Sequence, residues 1–378
     1  MRGRLRLFLM RPGTEHGSIQ RGYEIVPIGV LACKPGARGK LRIDRNIRGE
    51  IYSKSLIKSL SSTCGARVER TIMSVPYLDL AREGKNDWWR YALGIWITVT
   101  LWLGVTTALF MALGAWTAID GDPSTYVDPR AGKFVGIDPF VHYIILNLGH
   151  LAMLLGLFVS VRFIHKRRIR TLVTSARTIN WRMVGLGFGL YGSLLIVLTL
   201  FDYARSPETY YMTRNPARVL MLAPIVLILT PIQTTTEELV FRGYVMQGAG
   251  LLFRRFGLPA LISATVFTLP HLANPELVHG FWLVVLYYFG IGLLFALVTL
   301  RSNSLEAVIG AHASVNVFSA LIVNYSDSAL STESFFFCSN VDAVDNIVLF
   351  IVMAVLFYVL LFNVNLAGKV GRSTRDAA

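Results

Sequence analysis

Apolar stretches of about 20 residues alternate with short polar segments from Trp88 to the end of the chain. Because an α-helix rises about 1.5 Å per residue, such a stretch crosses the roughly 30 Å hydrocarbon core of a bilayer. The pattern predicts eight helices, at about Tyr91–Trp116, Phe140–Ile164, Met183–Phe201, Ala217–Gly248, Leu258–His271, Phe281–Leu300, Leu305–Val323 and Ile347–Leu366. We therefore expect an all-α fold, a polytopic membrane helix bundle with about eight transmembrane helices.

Composition agrees with a membrane protein. Of the 378 residues, 53% are hydrophobic and 16% are charged, which is atypical of soluble globular chains. The net charge is +14, but residues 1–72 hold 15 Lys or Arg against 5 Asp or Glu and so carry most of it. We interpret residues 1–72 as a basic N-terminal extension without a fold of its own, and residues 73–378 as the membrane-embedded domain. The basic charge is a property of the extension, so no nucleic-acid partner is predicted.

Loop charges predict how the helices are oriented. Lys and Arg concentrate in loops that fall on one side of an eight-helix bundle, at His165–Arg170, Arg254–Arg255, Arg301 and Lys369–Arg375. The acidic residues of the opposite loops are Asp120, Asp122, Asp128, Asp138, Asp327, Glu333, Asp342 and Asp345. Since basic loops are retained on the cytoplasmic side, we expect an integral, multi-pass membrane protein with both termini cytoplasmic.

Three charged residues interrupt the fourth predicted helix: Glu237, Glu238 and Arg242. Each costs about 2.5–3.5 kcal/mol inside a membrane and marks a functional site by default. Glu238 and Arg242 are separated by four residues and can pair across one helical turn, whereas Glu237 lies about 100° round the helix. The spacing therefore predicts a structural Glu238–Arg242 pair and a Glu237 carboxylate available for chemistry. The alternative is one buried polar cluster that only holds helices together.

Polar residues also interrupt two later predicted helices. His271 ends the fifth, one turn after Phe267, and His312 and Asn316 share one face of the seventh. Polar groups are costly against lipid, so all of them should turn inward and can converge with Glu237.

These residue types suit hydrolysis. A carboxylate beside an imidazole can hold a water molecule and take its proton. A second imidazole and an amide can stabilise the oxyanion that forms. Ser263 and Ser314 lie on the same helices, but nothing marks either as an activated nucleophile.

The set Glu-Glu-x-x-x-Arg, Phe-x-x-x-His and His-x-x-x-Asn resembles the three motifs of the CPBP intramembrane proteases. These proteins, also called the Abi family, are bacterial relatives of the type II CAAX prenyl endopeptidases. The resemblance covers about Arg218 to Tyr325, and the three motifs occur in the family's order.

The resemblance implies a role for each matching residue. Glu237 would be the general base that activates water, and His271 would help to hold that water. His312 and Asn316 would form the oxyanion side. The residues that support the geometry would be Glu238, Arg242 and Phe267.

The family is also described as metal-dependent, and Glu237, His271 and His312 would supply a three-ligand open site for a divalent metal such as zinc. The chain has no His-Glu-x-x-His motif. We therefore favour a metal-free glutamate mechanism and predict no other cofactor.

Three functions are compatible with these observations. The first is an intramembrane endopeptidase that cleaves a membrane-associated protein or peptide. The second is a non-catalytic membrane scaffold or a bacteriocin-immunity-type protein, which predicts decayed motifs. The third is a proton-coupled transporter, which predicts an inverted internal repeat. The intact motifs favour the endopeptidase, whose partners would be the lipid bilayer and a peptide or protein substrate.

Overall fold

The computed structural model describes residues 76–128, 133–253, 257–330 and 332–363, together with four strands nearer the N-terminus. The chain divides into two units, Met1–Ser74 and Val75–Ala378. In the first unit, β1 (Gly3–Pro12) pairs antiparallel with β2 (Tyr23–Cys33), and β3 (Leu41–Arg42) pairs parallel with β4 (Val68–Glu69). The sequence analysis did not predict these strands. The other residues of this unit lie outside the described ranges, so the interpretation of residues 1–72 stays a prediction.

The second unit is a helix bundle. Its helices are α1 (Trp88–Thr117), α2 (Pro139–Val159), α3 (Trp181–Arg205), α4 (Pro216–Glu238), α5 (Gln247–Leu252), α6 (Gly257–His271), α7 (Phe281–Ser302), α8 (Glu306–Leu321) and α9 (Ala343–Asn363). A π-helical segment, Leu239–Met246, joins α4 to α5 without a break. Another π-helical turn, Ser160–Ile164, extends α2. Each of the eight predicted helices is therefore present, and the fourth comprises α4, the π segment and α5.

Not all eight helices are long enough to cross a bilayer. Six segments of the described residues have the required length and apolar composition: Trp88–Thr117, Pro139–Ile164, Trp181–Arg205, Pro216–Leu252, Phe281–Ser302 and Ala343–Asn363. The remaining two, α6 and α8, have 15 and 16 residues, which is about 22–24 Å at 1.5 Å per residue. The all-α membrane bundle is confirmed, whereas the count of eight full spans is not. The two short helices are those that carry His271, His312 and Asn316.

Helices of the bundle differ in how far they are exposed. Trp96 and Met111 on α1 are 63% and 70% exposed, as expected for a helix that faces lipid. By contrast, α8 is buried along most of its length. The helices α3 and α8 can approach closely because each has a glycine that faces the backbone of the other. A Cβ on Gly310 would lie 1.9 Å from the Val184 carbonyl oxygen of α3, and one on Gly187 would lie 1.9 Å from that of Ala307. Small residues thus let α3 and α8 pack backbone to backbone.

The connecting loops gather at two ends of the bundle. At one end, β7 (Tyr210–Met212), β9 (Phe336–Cys338) and β8 (Val323–Asn324) form a three-stranded sheet in that order. Beside it, β5 (Tyr126–Asp128) pairs with β6 (Lys133–Val135). Arg218 binds Asp138 and lies 3.5 Å from Glu333, so two loops predicted to share a side do meet. At the other end, the Val173 carbonyl accepts a hydrogen bond from Leu305 N–H. The basic segments 254–255 and 369–375 lie outside the described residues.

Candidate active site

The central feature of the site is the point where α4 becomes π-helical. Glu237 and Glu238 are the last residues of α4, and the π segment begins at Leu239. Such π turns are frequent at functional sites because they shift the register of side chains that follow. Thr234 and Thr236 donate hydrogen bonds back to carbonyls of their own helix, so hydroxyls on the polar side of α4 are satisfied locally.

Glu238 forms a closed cluster. Its Oε1 accepts a 2.7 Å hydrogen bond from Arg242 Nη1 and another of 2.7 Å from His312 Nδ1. Both Glu238 and Arg242 are completely buried. Arg242 also donates to the Gly292 carbonyl at 3.1 Å, and its guanidinium lies 4.4 Å from the ring centroid of Phe267. The predicted Glu238–Arg242 pair is therefore present, and we call Glu238 with Arg242 the sealed half of the site.

Glu237 has a different environment. Its Oε1 lies 3.2 Å from His150 Nε2 and accepts a weak 3.4 Å hydrogen bond from Gln233. Its other oxygen, Oε2, lies 3.9 Å from His312 Nε2. From the spacing we expected Glu237 to lack the arginine that pairs with Glu238. Glu237 does not pair with Arg242, as the spacing predicted. It has a different partner, because α2 supplies His150.

A cavity of about 150 Å³ adjoins Glu237. It is lined by Glu237, His150, His271, Tyr143, Asn147, Gln233 and Asn274, and by apolar residues that include Trp102, Met153 and Leu330. Such a polar space has room for water and enough partners to hold it. We call Glu237, His150 and His271 the open half of the site, because all three border this cavity.

His271 is fixed at the end of α6. Its Nδ1 lies 2.8 Å from the Phe267 carbonyl oxygen one turn earlier. Since a carbonyl only accepts, Nδ1 carries the hydrogen, and in the neutral ring Nε2 is left as the acceptor. The ring also packs on Tyr288, with centroids 4.2 Å apart. His271 is therefore oriented as a hydrogen-bond acceptor beside the same cavity as Glu237.

The remaining predicted residues are placed less centrally. Asn316 lies one turn beyond His312 on α8 and is half-buried. Its side chain forms no hydrogen bond with the part of the chain that the structure describes. The hydroxyl of Ser263 donates to the Phe241 carbonyl at 3.0 Å, which is a structural role.

His150 is the site residue that the sequence analysis missed. It lies on α2, is 9% exposed and contacts Glu237 directly. A signal was available, since Asn147 and His150 are polar positions inside the apolar second predicted helix. Like His271 and His312, His150 would be costly against lipid and should turn inward.

The predicted metal ligands were Glu237, His271 and His312. Among the residues described, no three His, Cys, Asp or Glu side chains are grouped so that they can hold a metal ion. In this arrangement the predicted ligands do not fit a metal.

Comparison with known proteins places the chain in a family. Residues 216–318 match the family model described as type II CAAX prenyl endopeptidase Rce1-like. The chain is also 34% identical over 248 residues to the uncharacterized protein YyaK of Bacillus subtilis (strain 168), a match that covers 65% of this chain and 81% of that protein. No solved structure matches the chain. The chain therefore belongs to the Rce1-like family of type II CAAX prenyl endopeptidases, the CPBP family that its three motifs resemble.

Proposed function

We propose that this protein is an intramembrane endopeptidase that hydrolyses a peptide bond of a membrane-associated protein or peptide. The observation that carries the proposal is the geometry of Glu237: a buried carboxylate at a polar cavity, with its Oε2 3.9 Å from His312 Nε2 and His271 on the same cavity wall. A carboxylate between imidazoles and beside space for water is the arrangement that general-base hydrolysis requires.

The reaction follows from these groups. Glu237 Oε2 takes one proton from a water molecule, and the water oxygen forms a bond to the scissile carbonyl carbon. His271 accepts a hydrogen bond from the same water and orients it. Asn316 and His312 are assigned to the carbonyl oxygen, where donors stabilise the negative charge that develops. Because His312 Nδ1 already donates to Glu238, His312 acts in this role with a hydrogen on Nε2 as well. The C–N bond then breaks, and the proton on Glu237 passes to the leaving nitrogen, so one water molecule is added overall.

The sealed half supports this chemistry without taking part in it. Arg242 neutralises Glu238, and Glu238 fixes the His312 ring through Nδ1. Neither Glu238 nor Arg242 lines the cavity beside Glu237, and both are completely buried, so the pair is kept from water and substrate. Glu238 and Arg242 are accordingly proposed as supporting residues, and Phe267 as the surface on which the Arg242 guanidinium rests.

Cleavage of a library of membrane-spanning peptides by the purified protein, with and without chelator, tests the proposal. We expect cleavage by the wild type, no cleavage by Glu237→Gln, and no effect of the chelator. Cleavage that Glu237→Gln retains would contradict the role of the base. Loss of wild-type cleavage on chelation, with recovery on added zinc, would contradict the metal-free mechanism.

We propose further that both termini are cytoplasmic. This orientation is supported by the charge of the two loop ends: His165–Arg170 is basic, and the loops that Arg218 joins carry Asp138 and Glu333. Reporter domains fused after Lys166 and after Asp327 should report opposite sides of the membrane, with the first one cytoplasmic. The same side for both fusions would contradict the orientation.

A further inference from the structure

His150 contacts the carboxylate that the proposed function uses as its base, and it reaches that carboxylate from another helix. The contact joins His150 Nε2 on α2 to Glu237 Oε1 on α4 at 3.2 Å. Both residues are buried, with 9% and 7% exposure. The Trp102 ring of α1 packs against the imidazole, with ring centroids 5.7 Å apart. His150 is therefore held between two neighbouring helices and the cavity.

Hydrogen bonding determines where the protons of this pair lie. His150 Nδ1 is 2.8 Å from the Leu146 carbonyl oxygen of its own helix. Since that oxygen only accepts, Nδ1 carries a hydrogen, and a neutral ring would present a bare lone pair at Nε2. At 3.2 Å, that lone pair would face a carboxylate oxygen and repel it. A proton on His150 Nε2, directed at Glu237 Oε1, turns this repulsion into attraction.

The shared proton distinguishes the two oxygens of Glu237. Oε1 is occupied by His150 and by the longer contact from Gln233. Oε2 has neither partner and lies on the side of His312. Turning the carboxylate part of the way round would break the contact with His150, and a full half-turn would only exchange two equivalent oxygens. The carboxylate is thus held so that only one oxygen is available for a water molecule.

We propose that His150 is a positioning residue, which holds Glu237 Oε1 through this shared proton and presents Oε2 as the oxygen that accepts the proton of water. The inference rests on the proposed endopeptidase function. The proton between His150 and Oε1 stays on His150 Nε2, so Glu237 starts each turnover as a carboxylate. The proton that Oε2 takes from water is the one later delivered to the leaving nitrogen. His150 is therefore unchanged after each turnover.

The kinetic test uses the peptide that the wild type cleaves best in the membrane-peptide library. We expect His150→Ala to lower kcat by about 100-fold, the scale of a catalytic group displaced by 1 Å, with KM within about twofold of wild type. Added imidazole should restore part of kcat in His150→Ala, because the truncated side chain leaves room for it beside the cavity. A residue that served only to fold the protein would show no such rescue.

The matched control is His142→Ala. His142 is a histidine of the same helix that packs on Phe110 and Phe134, away from Glu237, and its removal should leave kcat and its response to imidazole unchanged. A wild-type kcat in His150→Ala, when Glu237→Gln is inactive, would overturn the positioning role and leave the proposed function intact. Cleavage that survives in both variants would instead contradict the proposed function.

A second measurement does not depend on cleavage. Thermal unfolding in detergent is compared for His150→Ala, Glu237→Gln and the double variant. Because each single change removes one partner of the same contact, the shifts in unfolding temperature should be clearly non-additive. Shifts that simply add would overturn the shared-proton contact, whether or not a substrate has been found.

Discussion

The sealed and open halves of the site begin with adjacent residues of the same type and end in opposite environments. Glu238 is completely buried and has an arginine and an imidazole on one oxygen. Glu237 borders a cavity of about 150 Å³, and its carboxylate contacts the imidazoles of His150 and His312 and the amide of Gln233. One residue of separation turns a side chain by about 100° round a helix, which here directs one carboxylate into the helix interface and the other to the cavity.

The difference shows how two similar groups come to have different roles. A buried carboxylate beside a guanidinium is neutralised, and the pair then holds helices together. A carboxylate that faces a cavity meets water and can exchange a proton with it. Access to water therefore separates support from chemistry more clearly than residue type does. The predictions that follow test this contrast in order of decreasing effect.

Removing the carboxylate of the open half should have the largest effect on activity. Glu237→Gln keeps the shape and one acceptor but removes the base, so cleavage should fall by about 10²–10⁴-fold, the usual contribution of a general base. Folded yield and unfolding temperature should stay closer to wild type than those of any sealed-half variant. Peptide cleavage by purified protein measures the loss, with Glu208→Gln on an exposed loop as the control. Equal activity in the two variants would contradict the assignment.

Removing the carboxylate of the sealed half should act on stability. Glu238→Gln leaves the Arg242 charge buried and unpaired, a loss of about 3–5 kcal/mol in the free energy of unfolding. Unfolding in detergent, followed by circular dichroism, measures it. If Glu238→Gln were as stable as wild type but inactive, the two glutamates would have exchanged roles.

The scaffold behind the sealed half can be tested at Gly310. A Cβ there would lie 1.9 Å from the Val184 carbonyl oxygen, and backbone cannot move aside as a flexible side chain can. Gly310→Ala should therefore cost about 1–3 kcal/mol, as for other overpacked interiors. Gly185→Ala on α3 is the matched control, because nothing lies within 4 Å of its added Cβ. Unfolding temperatures of the two variants should separate clearly, and similar values would contradict the close packing of α3 and α8.

The smallest effect is expected at a third buried carboxylate, Glu276. Glu276 lies in the short 3-10 helix Pro275–His279 between α6 and α7 and accepts a 2.7 Å hydrogen bond from Ala329 N–H. Burial raises the pKa of Glu276 above its ordinary value of 4.5. The folded state thus binds a proton that the unfolded state has released, so this group's contribution to stability falls as pH rises above 4.5.

Glu276→Gln keeps the acceptor and cannot ionise. We expect it to match wild type at acid pH, to be slightly more stable at neutral pH, and to flatten the pH dependence above 4.5. Unfolding temperature measured across pH checks this, with Glu208→Gln as the exposed control. A variant less stable than wild type at neutral pH would contradict the sign.

Much of the architecture was predictable because it depends on local spacing. Apolar stretches of the length of a bilayer predicted eight helices, and all eight are present. The pairing of Glu238 with Arg242 follows from their separation by four residues, as does the shared face of His312 and Asn316. The shortness of α6 was predicted by the range Leu258–His271, whereas α8 is shorter than the predicted Leu305–Val323.

The chain's own sequence determined which residues are costly in a membrane, how far apart they lie on each helix, and hence which groups can meet within one turn. Only the tertiary structure decided which helices approach one another. It brought His150 of α2 to Glu237, placed His312 between the two carboxylates, and put the cavity on one side of α4 and not on the other. The physical reason is that helix geometry fixes the relative directions of side chains only within about one turn. Contacts between helices depend instead on how whole helix surfaces pack, which small residues such as Gly187 and Gly310 allow.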